Sequence, residues 1–393
     1  MSPLLRFARE SIAAAVFIAC GGLPGLASAQ VPDGSYAQRH AFEPAEGVLA
    51  TGPLLVLPGG RLVGTAAEGG RFRHGTVFEL KSGSDTVRVL HDFEGSPHDG
   101  EFPLTGVVAG PDGALWGTTS EGGPDDVGTI FRIGPGGRFE IVHAFSLEGG
   151  GSRPGPLTPA TDGFLYGMTF WRGFSDPHGT FYRIEADGSV TTLGSLPEGV
   201  GIGSSKLLQA SDGRFYGTTQ SDAYENGIVY SLATDGSHQR ILHRFTDAEG
   251  ESPVGLVEAS DGLFYGTTAF GGPFGRGTVF RLDREGGRFE VLHAFEGSDE
   301  PRTAFGTLIE TSPGVFYGTS WEGGKHDKGT VYQVLAGGEV TVVHAFSQRM
   351  KPGGWVDGAY PSDLTRVGDG ALVGLTGWGG IQDGGTLFKL RAR

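Results

Sequence analysis

The sequence predicts an all-β fold: a seven-bladed β-propeller of four-stranded blades, its ring closed by an N-terminal strand that completes the last blade. Three observations carry the prediction. A short phrase with a central glycine returns as LVGTA, LWGTT, LYGMT, FYGTT, FYGTT, FYGTS and LVGLT, its glycines falling at Gly64, Gly117, Gly167, Gly217, Gly266, Gly318 and Gly374. Successive glycines are 53, 50, 50, 49, 52 and 56 residues apart, a period that belongs to propellers and other repeat arrays. Each interval holds four short strand-like runs without helical periodicity between them, which is the pattern of a propeller blade. The chain ends are also complementary. The seventh unit stops at GTLFKLRAR without a fourth strand, while RHAF at 39–42 stands alone and matches VHAF at 142–145, LHAF at 292–295 and VHAF at 343–346.

Taken in order, the chain opens on a targeting segment. Arg6 and Arg9 precede the apolar run IAAAVFIACGGLPGLA, and ASA at 27–29 is a small-x-small cleavage site. This reads as a secretory signal peptide over residues 1–29, cleaved near Ala29, and implies a secreted, periplasmic or cell-surface protein. A lipoprotein acylated at Cys20 is the alternative, disfavoured by the Phe three positions before it. Cys20 is the sole cysteine, so cleavage leaves no thiol for a disulfide or for catalysis. Residues 30–393 then form one propeller. Its closing strand is expected at 37–43 and its repeats near 52–103, 104–154, 155–203, 204–252, 253–303, 304–360 and 361–393. Closure would hide the sheet edges that an open array exposes.

Within a unit the fifth is clearest: PVGLVEA, LFYGTTA, GTVFRL and FEVLHAF. The first turn is SDG and the third REGG, hairpin chemistry in which glycine supplies positive φ. The third run recurs as GTVF, GTIF, GTFY, GIVY, GTVF, GTVY and GTLF. The glycine inside FYGTT is expected to permit close backbone approach where blades converge on the axis. Aromatics beside it pack neighbouring sheets that are buried on both faces, so a clean apolar–polar alternation is missing.

Composition excludes several functions. The 72 glycines lack a Gly-X-Y period, so the chain is not collagen-like. A net charge of −15 offers no field for nucleic acid or for an anionic membrane surface. After the leader no run is apolar and long enough to span a bilayer. A monomer is expected.

The units YGTTSEGG…GTIFRIGPGGRFEIVHAF and YGTTAFGG…GTVFRLDREGGRFEVLHAF resemble the GloVer tandem-repeat family of bacterial secreted proteins, some with anchoring modules. The resemblance covers the whole mature chain. It implies a propeller and no particular activity, and no anchor is expected after Arg393. Kelch repeats, which share the period and the paired glycines, rank second.

Functional residues are sought where blades depart from the repeat. Loops joining second to third strands, and fourth to next first strands, emerge on one face, and these are the long loops. They carry Trp171, Phe174, Phe270, Phe274, Trp321, Trp355 and Trp378, with Phe170 and Tyr224; only Trp116 among the tryptophans lies in a core motif. Such rings suit sugar C–H faces or peptide side chains, though loop-against-loop packing would use the same residues. The first function expected is a binding module for an extracellular glycan or protein. The second is a polysaccharide lyase or glycosidase centred on Arg172, His178 and Tyr224, which could neutralise a carboxylate and move a proton; ordinary polar loop residues are the plainer reading. Arg71, Arg73, Arg172, Arg276, Lys325 and Lys328 would then have to concentrate positive potential on that face. A purely structural envelope protein is the third.

The histidines of the fourth strands, His40, His91, His143, His243, His293 and His344, occupy equivalent places in different blades. They cannot converge on one ion, so they read as structural. Loop histidines His74, His178 and His326 are better site candidates. No cofactor is expected. Calcium at Asp125 and Asp126, or at Asp299 and Glu300, lacks a complete ligand motif. Neither a P-loop nor a Gly-x-Ser-x-Gly elbow occurs.

Overall fold

The computed structural model describes residues 36–392 except 82–85, 147, 149–150, 172–178, 186, 197–205, 221–225, 348–356 and 381. The leader, its cleavage site and Cys20 lie outside the described residues.

The chain is a seven-bladed β-propeller of four-stranded antiparallel sheets. Blade one comprises Val48–Leu57, Arg61–Glu68, Thr76–Leu80 and Val87–Asp92 in sequence order. Blade five repeats this with Glu251–Glu258, Phe264–Phe270, Thr278–Leu282 and Phe289–Ala294. In blade three the first strand is split into Ser152–Pro154 and Thr158–Pro159, both paired to Leu165–Trp171. Prolines at 154, 156 and 159 interrupt the ladder there, since they have no N–H to give it. Among the described residues no helix is long and apolar enough to cross a membrane.

The ring closes as the stray RHAF predicts. Ala359–Arg366, Leu372–Trp378 and Thr386–Leu390 supply three strands of blade seven, and Tyr36–Ala41 the fourth. Tyr36 pairs Leu390 and Ala41 pairs Thr386, with a bulge between Gln38 and His40. Blades one, two, four, five and six carry their bulge at the matching place, beside the histidine of the fourth strand.

The glycine of the repeat phrase has a different reason from the one expected. Each lies directly opposite the aromatic of the third strand: Gly64 opposite Phe78, Gly217 opposite Tyr230, Gly318 opposite Tyr332. That ring lies over the glycine, so a Cβ at Gly217 would sit 2.5 Å from the Tyr230 hydroxyl and 2.6 Å from its Cζ. Room for a cross-strand ring, rather than convergence at the axis, fixes the residue. The ring is then covered by the phenylalanine ending the preceding blade's fourth strand. Phe42 lies 4.9 Å from Phe78, Phe93 5.2 Å from Phe131 and Phe245 5.0 Å from Phe280. Phe42 belongs to blade seven and Phe78 to blade one, so the seam obeys the same rule. Blade three has Leu196 instead, packed in one cluster with Tyr230.

The threonines bind the phrase together. The first staples one blade to the next: Thr118 Oγ1 donates to Gly155 O at 3.0 Å, Thr218 to Pro253 O at 2.9 Å and Thr319 to Ser362 O at 2.9 Å. The second satisfies its own blade. Thr119 Oγ1 donates to Glu121 O at 2.8 Å and shares a hydrogen bond with Thr129. In the SDG turn Gly213 has φ +82°, which glycine adopts without a Cβ penalty. Asp212 accepts from Arg214 N at 3.0 Å and from the Tyr216 hydroxyl at 2.8 Å. Tyr166 with Asp162 and Tyr265 with Asp261 repeat this buckle.

Candidate functional site

Every second strand runs toward the long-loop face and delivers a loop residue there. Trp171, Phe270 and Trp378 are the last residues of their second strands, and Trp321 follows Val315–Ser320 directly. The predicted aromatic residues that can be described therefore share one face. Arg172, Phe174, His178, Tyr224 and Trp355 lie outside the described residues.

The face has two distinct parts. Between blades five and six the rings are contiguous. Phe270 packs edge-on against Phe305, with centroids 6.1 Å apart, and Phe305 lies 4.7 Å from Trp321. Trp321 is held by its own N–H, which donates to Thr303 O at 2.9 Å. Phe270 is 38% exposed and Phe274 52%, while Phe305 and Trp321 are half-buried. The inner rings thus pack loop on loop and the outer ones present an apolar surface. Trp378 of blade seven is exposed apart from this run.

Phe305 was not singled out from the sequence. It precedes the first strand of blade six, where blades three, five and seven have Pro154, Pro253 and Pro361. Aligning the fourth-to-first loops as closely as the second-to-third loops exposes that departure.

Between blades one and three the face is polar. His74 Nδ1 lies 2.8 Å from Glu101 Oε1, and Arg153 Nη2 3.2 Å from Glu121 Oε1. The Arg153 guanidinium also covers the Trp171 ring at 5.3 Å, a cation–π contact. Oxygens of Glu101, Glu121 and Asp126 lie within 4.8 Å of one another, so these carboxylates are the described residues best placed to hold a hard cation. Two of the three already face a cationic or protonatable partner. In blade six the position of Glu101 is taken by Arg302, which pairs with Glu322 across the strands. Its guanidinium reaches Glu322 at 3.4 Å and Asp327 at 2.7 Å.

The fourth-strand histidines are built into the scaffold. His40 Nε2 lies 2.8 Å from Glu46 and His91 Nε2 2.9 Å from Asp99. His91 stacks flat on Phe139 of the next blade at 3.4 Å, and His243 on Phe289 at 3.5 Å. Burial lowers the pKa of His143 and His243. Glu300 belongs to the same system. Its carboxyl is depressed to about 2 by His293, with the Glu296 and Gly297 N–H groups adding to the effect against partial burial. The His293 ring nitrogen is 3.5 Å away, at the outer limit of a hydrogen bond, whereas the Glu296 N–H donates at 2.8 Å. Glu300 is thus a turn cap.

The fold has solved counterparts. Virginiamycin B lyase from Staphylococcus aureus aligns with a TM-score of 0.58 at 12% identity, over 88% of this chain and 96% of that one. The extracellular domain of a B. thetaiotaomicron protein described as a hybrid two component system aligns at 0.60 and 10% identity, over 90% of this chain and 39% of that one. Puromycin hydrolase aligns at 0.56 and 16% identity, over 85% and 51%. At these identities the likeness is one of fold. A comparison with curated proteins returned no match. The family model of the Gloeobacter/Verrucomicrobia repeat matches residues 26–205 and 203–393. Together the two matches span the propeller, and the chain belongs to the Gloeobacter/Verrucomicrobia repeat family.

Proposed function

We propose that this chain is an exported binding propeller that holds an extracellular glycan on its long-loop face. The observation that carries the reading is the run Phe270–Phe305–Trp321, with Phe270 and its neighbour Phe274 exposed on the outside. Rings fixed from behind by other rings lose little conformational freedom when a ligand stacks on them, so more of the contact energy appears as affinity. Leader cleavage near Ala29 would place this face outside the cytoplasm. Catalysis by Arg172, His178 and Tyr224 is the alternative that the same experiment separates.

The test is retention on a panel of immobilised neutral and uronate-containing polysaccharides, with released products followed by reducing ends and by ultraviolet absorbance. The expected result is retention without product on at least one polysaccharide. Phe270→Ala and Phe274→Ala together should weaken it by about 10-fold or more with an unchanged melting temperature. A protein retained on none of the panel, or equally retained after both substitutions, would overturn the reading. Product formation lost in Tyr224→Phe or His178→Ala would replace it with an enzyme.

A further inference from the structure

One rung of the inner ladder, between first and second strands, breaks the repeat. The rung beneath it is constant in blades three, five and seven: Pro154 faces Thr169, Pro253 faces Thr268 and Pro361 faces Thr376. Two residues nearer the long-loop face the pair changes from blade to blade. Trp171 and Trp378 face small residues there, while Glu121 faces Glu101 and Glu322 faces Arg302. In blade five Phe270 faces Glu251. Side chains directly opposite in an antiparallel pair stand beside each other on one face of the sheet, and at this rung they meet. Carboxylate oxygens of Glu101 and Glu121 lie within 4.8 Å of each other, and the Arg302 guanidinium reaches Glu322 at 3.4 Å.

The Glu251–Phe270 rung joins a carboxylate to an exposed ring. Phe270 is the outer member of the run that continues through Phe305 to Trp321. The Glu251 side chain lies along the Phe270–Gly271 edge, since a Cβ on Gly271 would sit 2.9 Å from its Cγ. It is half-buried and makes no hydrogen bond or ion pair with any described residue. The rung carboxylates of blades two and six are answered, Glu101 by His74, Glu121 by Arg153 and Glu322 by Arg302. Two arginines of the seam between blades five and six are already engaged. Arg276 donates to Gly297 O at 3.3 Å, and Arg302 donates to Asp327 at 2.7 Å. A half-buried carboxylate without a partner, beside the ring of an exposed phenylalanine, suits a cation on two counts: the acid accepts a charge-assisted hydrogen bond and the ring face attracts positive charge.

We propose that the glycan held on this face is an amino glycan with free ammonium groups, and that the Glu251–Phe270 rung is the subsite that receives one of them. The inference rests on the glycan reading of the aromatic run. A sugar unit stacks its C–H face on Phe270, and its ammonium donates to the Glu251 carboxylate beside the ring. Partial burial leaves this carboxylate less screened than one in open solvent, so it attracts an ammonium more strongly. The same carboxylate repels a uronate, so the rung selects against acidic glycans as well as for basic ones. An N-acetylated unit keeps the stacking face but offers the acid no positive charge, and it binds more weakly.

The experiment is calorimetric titration of the purified protein with a glucosamine oligomer, with the N-acetylglucosamine oligomer of the same length and with an oligogalacturonate. It is run at low ionic strength and mildly acid pH, where the amino sugar carries its charge. The glucosamine oligomer should bind about 10-fold or more tighter than its N-acetylated counterpart, and the oligogalacturonate should bind most weakly. Glu251→Gln keeps the size of the side chain and should erase that preference, whereas Phe270→Ala should weaken both glucosamine-based oligomers. Oligolysine should bind more weakly than the glucosamine oligomer, because it has no sugar ring to stack; tighter binding would overturn the amino glycan in favour of a protein ligand. Failure of the glucosamine oligomer to bind, equal affinity for the charged and N-acetylated oligomers, or a preference that survives Glu251→Gln would each overturn the ammonium subsite. If both oligomers bind equally and Phe270→Ala weakens both, the aromatic face stands without the subsite; if Phe270→Ala changes neither, the face falls with it.

Discussion

A single glycine shows how much of this fold rests on one missing atom. Gly217 has an ordinary extended backbone, so conformational freedom is not what selects it; the Tyr230 ring lies where its Cβ would be. Gly217→Ala should destabilise the protein by about 1–3 kcal/mol, the usual cost of forcing extra volume into a packed core. Tyr230→Leu in the same chain removes the clashing atoms and should recover part of that loss, so the pair should be non-additive. Urea unfolding of the two single variants and the double variant measures this. An alanine variant as stable as the parent, or strictly additive effects, would sink the explanation. The sequence displayed the recurrence of this glycine plainly but not its cause. The cause depends on register, Gly217 facing Tyr230, and register between strands is a non-local fact that a period of about 50 residues does not contain. The two threonines are alike in this. Their repetition marks them as scaffold, yet only the fold shows that Thr118 ties blade two to Gly155 while Thr119 ties its own two strands.

At the scale of the strand, fourth-strand histidines tie blades together, His91 to Phe139 and His243 to Phe289 of the next blade, and tie to the loop that follows, as His40 to Glu46. The sequence supported a structural role because equivalent positions in a ring cannot share an ion. It could not show that the His91 ring lies flat on Phe139, or that the carboxylate of the next loop caps a turn. This arrangement has a consequence in acid. Glu300 titrates near 2 in the folded protein against roughly 4.3 for an unperturbed glutamate. A depressed carboxyl pKa contributes stability that is complete above the unfolded value and disappears as the pH falls through the folded value. Glu300→Gln should therefore cost about 1–3 kcal/mol at pH 7 and close to nothing at pH 2. Its denaturation midpoint should converge on that of the parent between those limits. Parallel curves from pH 7 to pH 2 would show that Glu300 acts by shape alone. The loops were less legible than the strands. Phe305 escaped notice because it replaces a proline in a loop class whose aromatic was expected at Trp355. The polar cluster of Glu101, Glu121 and Asp126 draws on two loops and a two-residue ladder. No local motif announces such a cluster.

For the whole molecule the decisive contact is the seam. Six blades are continuous in sequence, and the seventh borrows Tyr36–Ala41 from the other end of the chain. The borrowed strand reproduces the bulge, the histidine–carboxylate contact and the covering phenylalanine of a native fourth strand. Tyr36 stacks on His344 of blade six at 3.7 Å, as Phe139 stacks on His91, and its hydroxyl donates to the buried Asp357 at 3.0 Å. Phe42 is buried against Phe78 and sits in one cluster with Leu54, Val373 and Leu375, drawn from both sides of the seam. Thr365 Oγ1 donates to Leu54 O at 3.0 Å and accepts from Leu54 N at 3.1 Å, adding an inner clasp that does not involve the borrowed strand. Loss of the strand should thus leave the ring assembled on its inner side but open at its rim, with the edge of Thr386–Leu390 bare and the Phe78 ring without the cover of Phe42. A protein lacking residues 30–45 should melt roughly 5–15 °C below the parent, since several kcal/mol of packing and pairing vanish. It should also self-associate through the bared edge. Tyr36→Ala should show a smaller fall of the same sign without self-association, because the backbone pairing with Thr386–Leu390 persists. Scanning calorimetry with sedimentation velocity distinguishes these outcomes. An unchanged melting temperature after removal of residues 30–45 would mean that the inner clasp alone closes the ring.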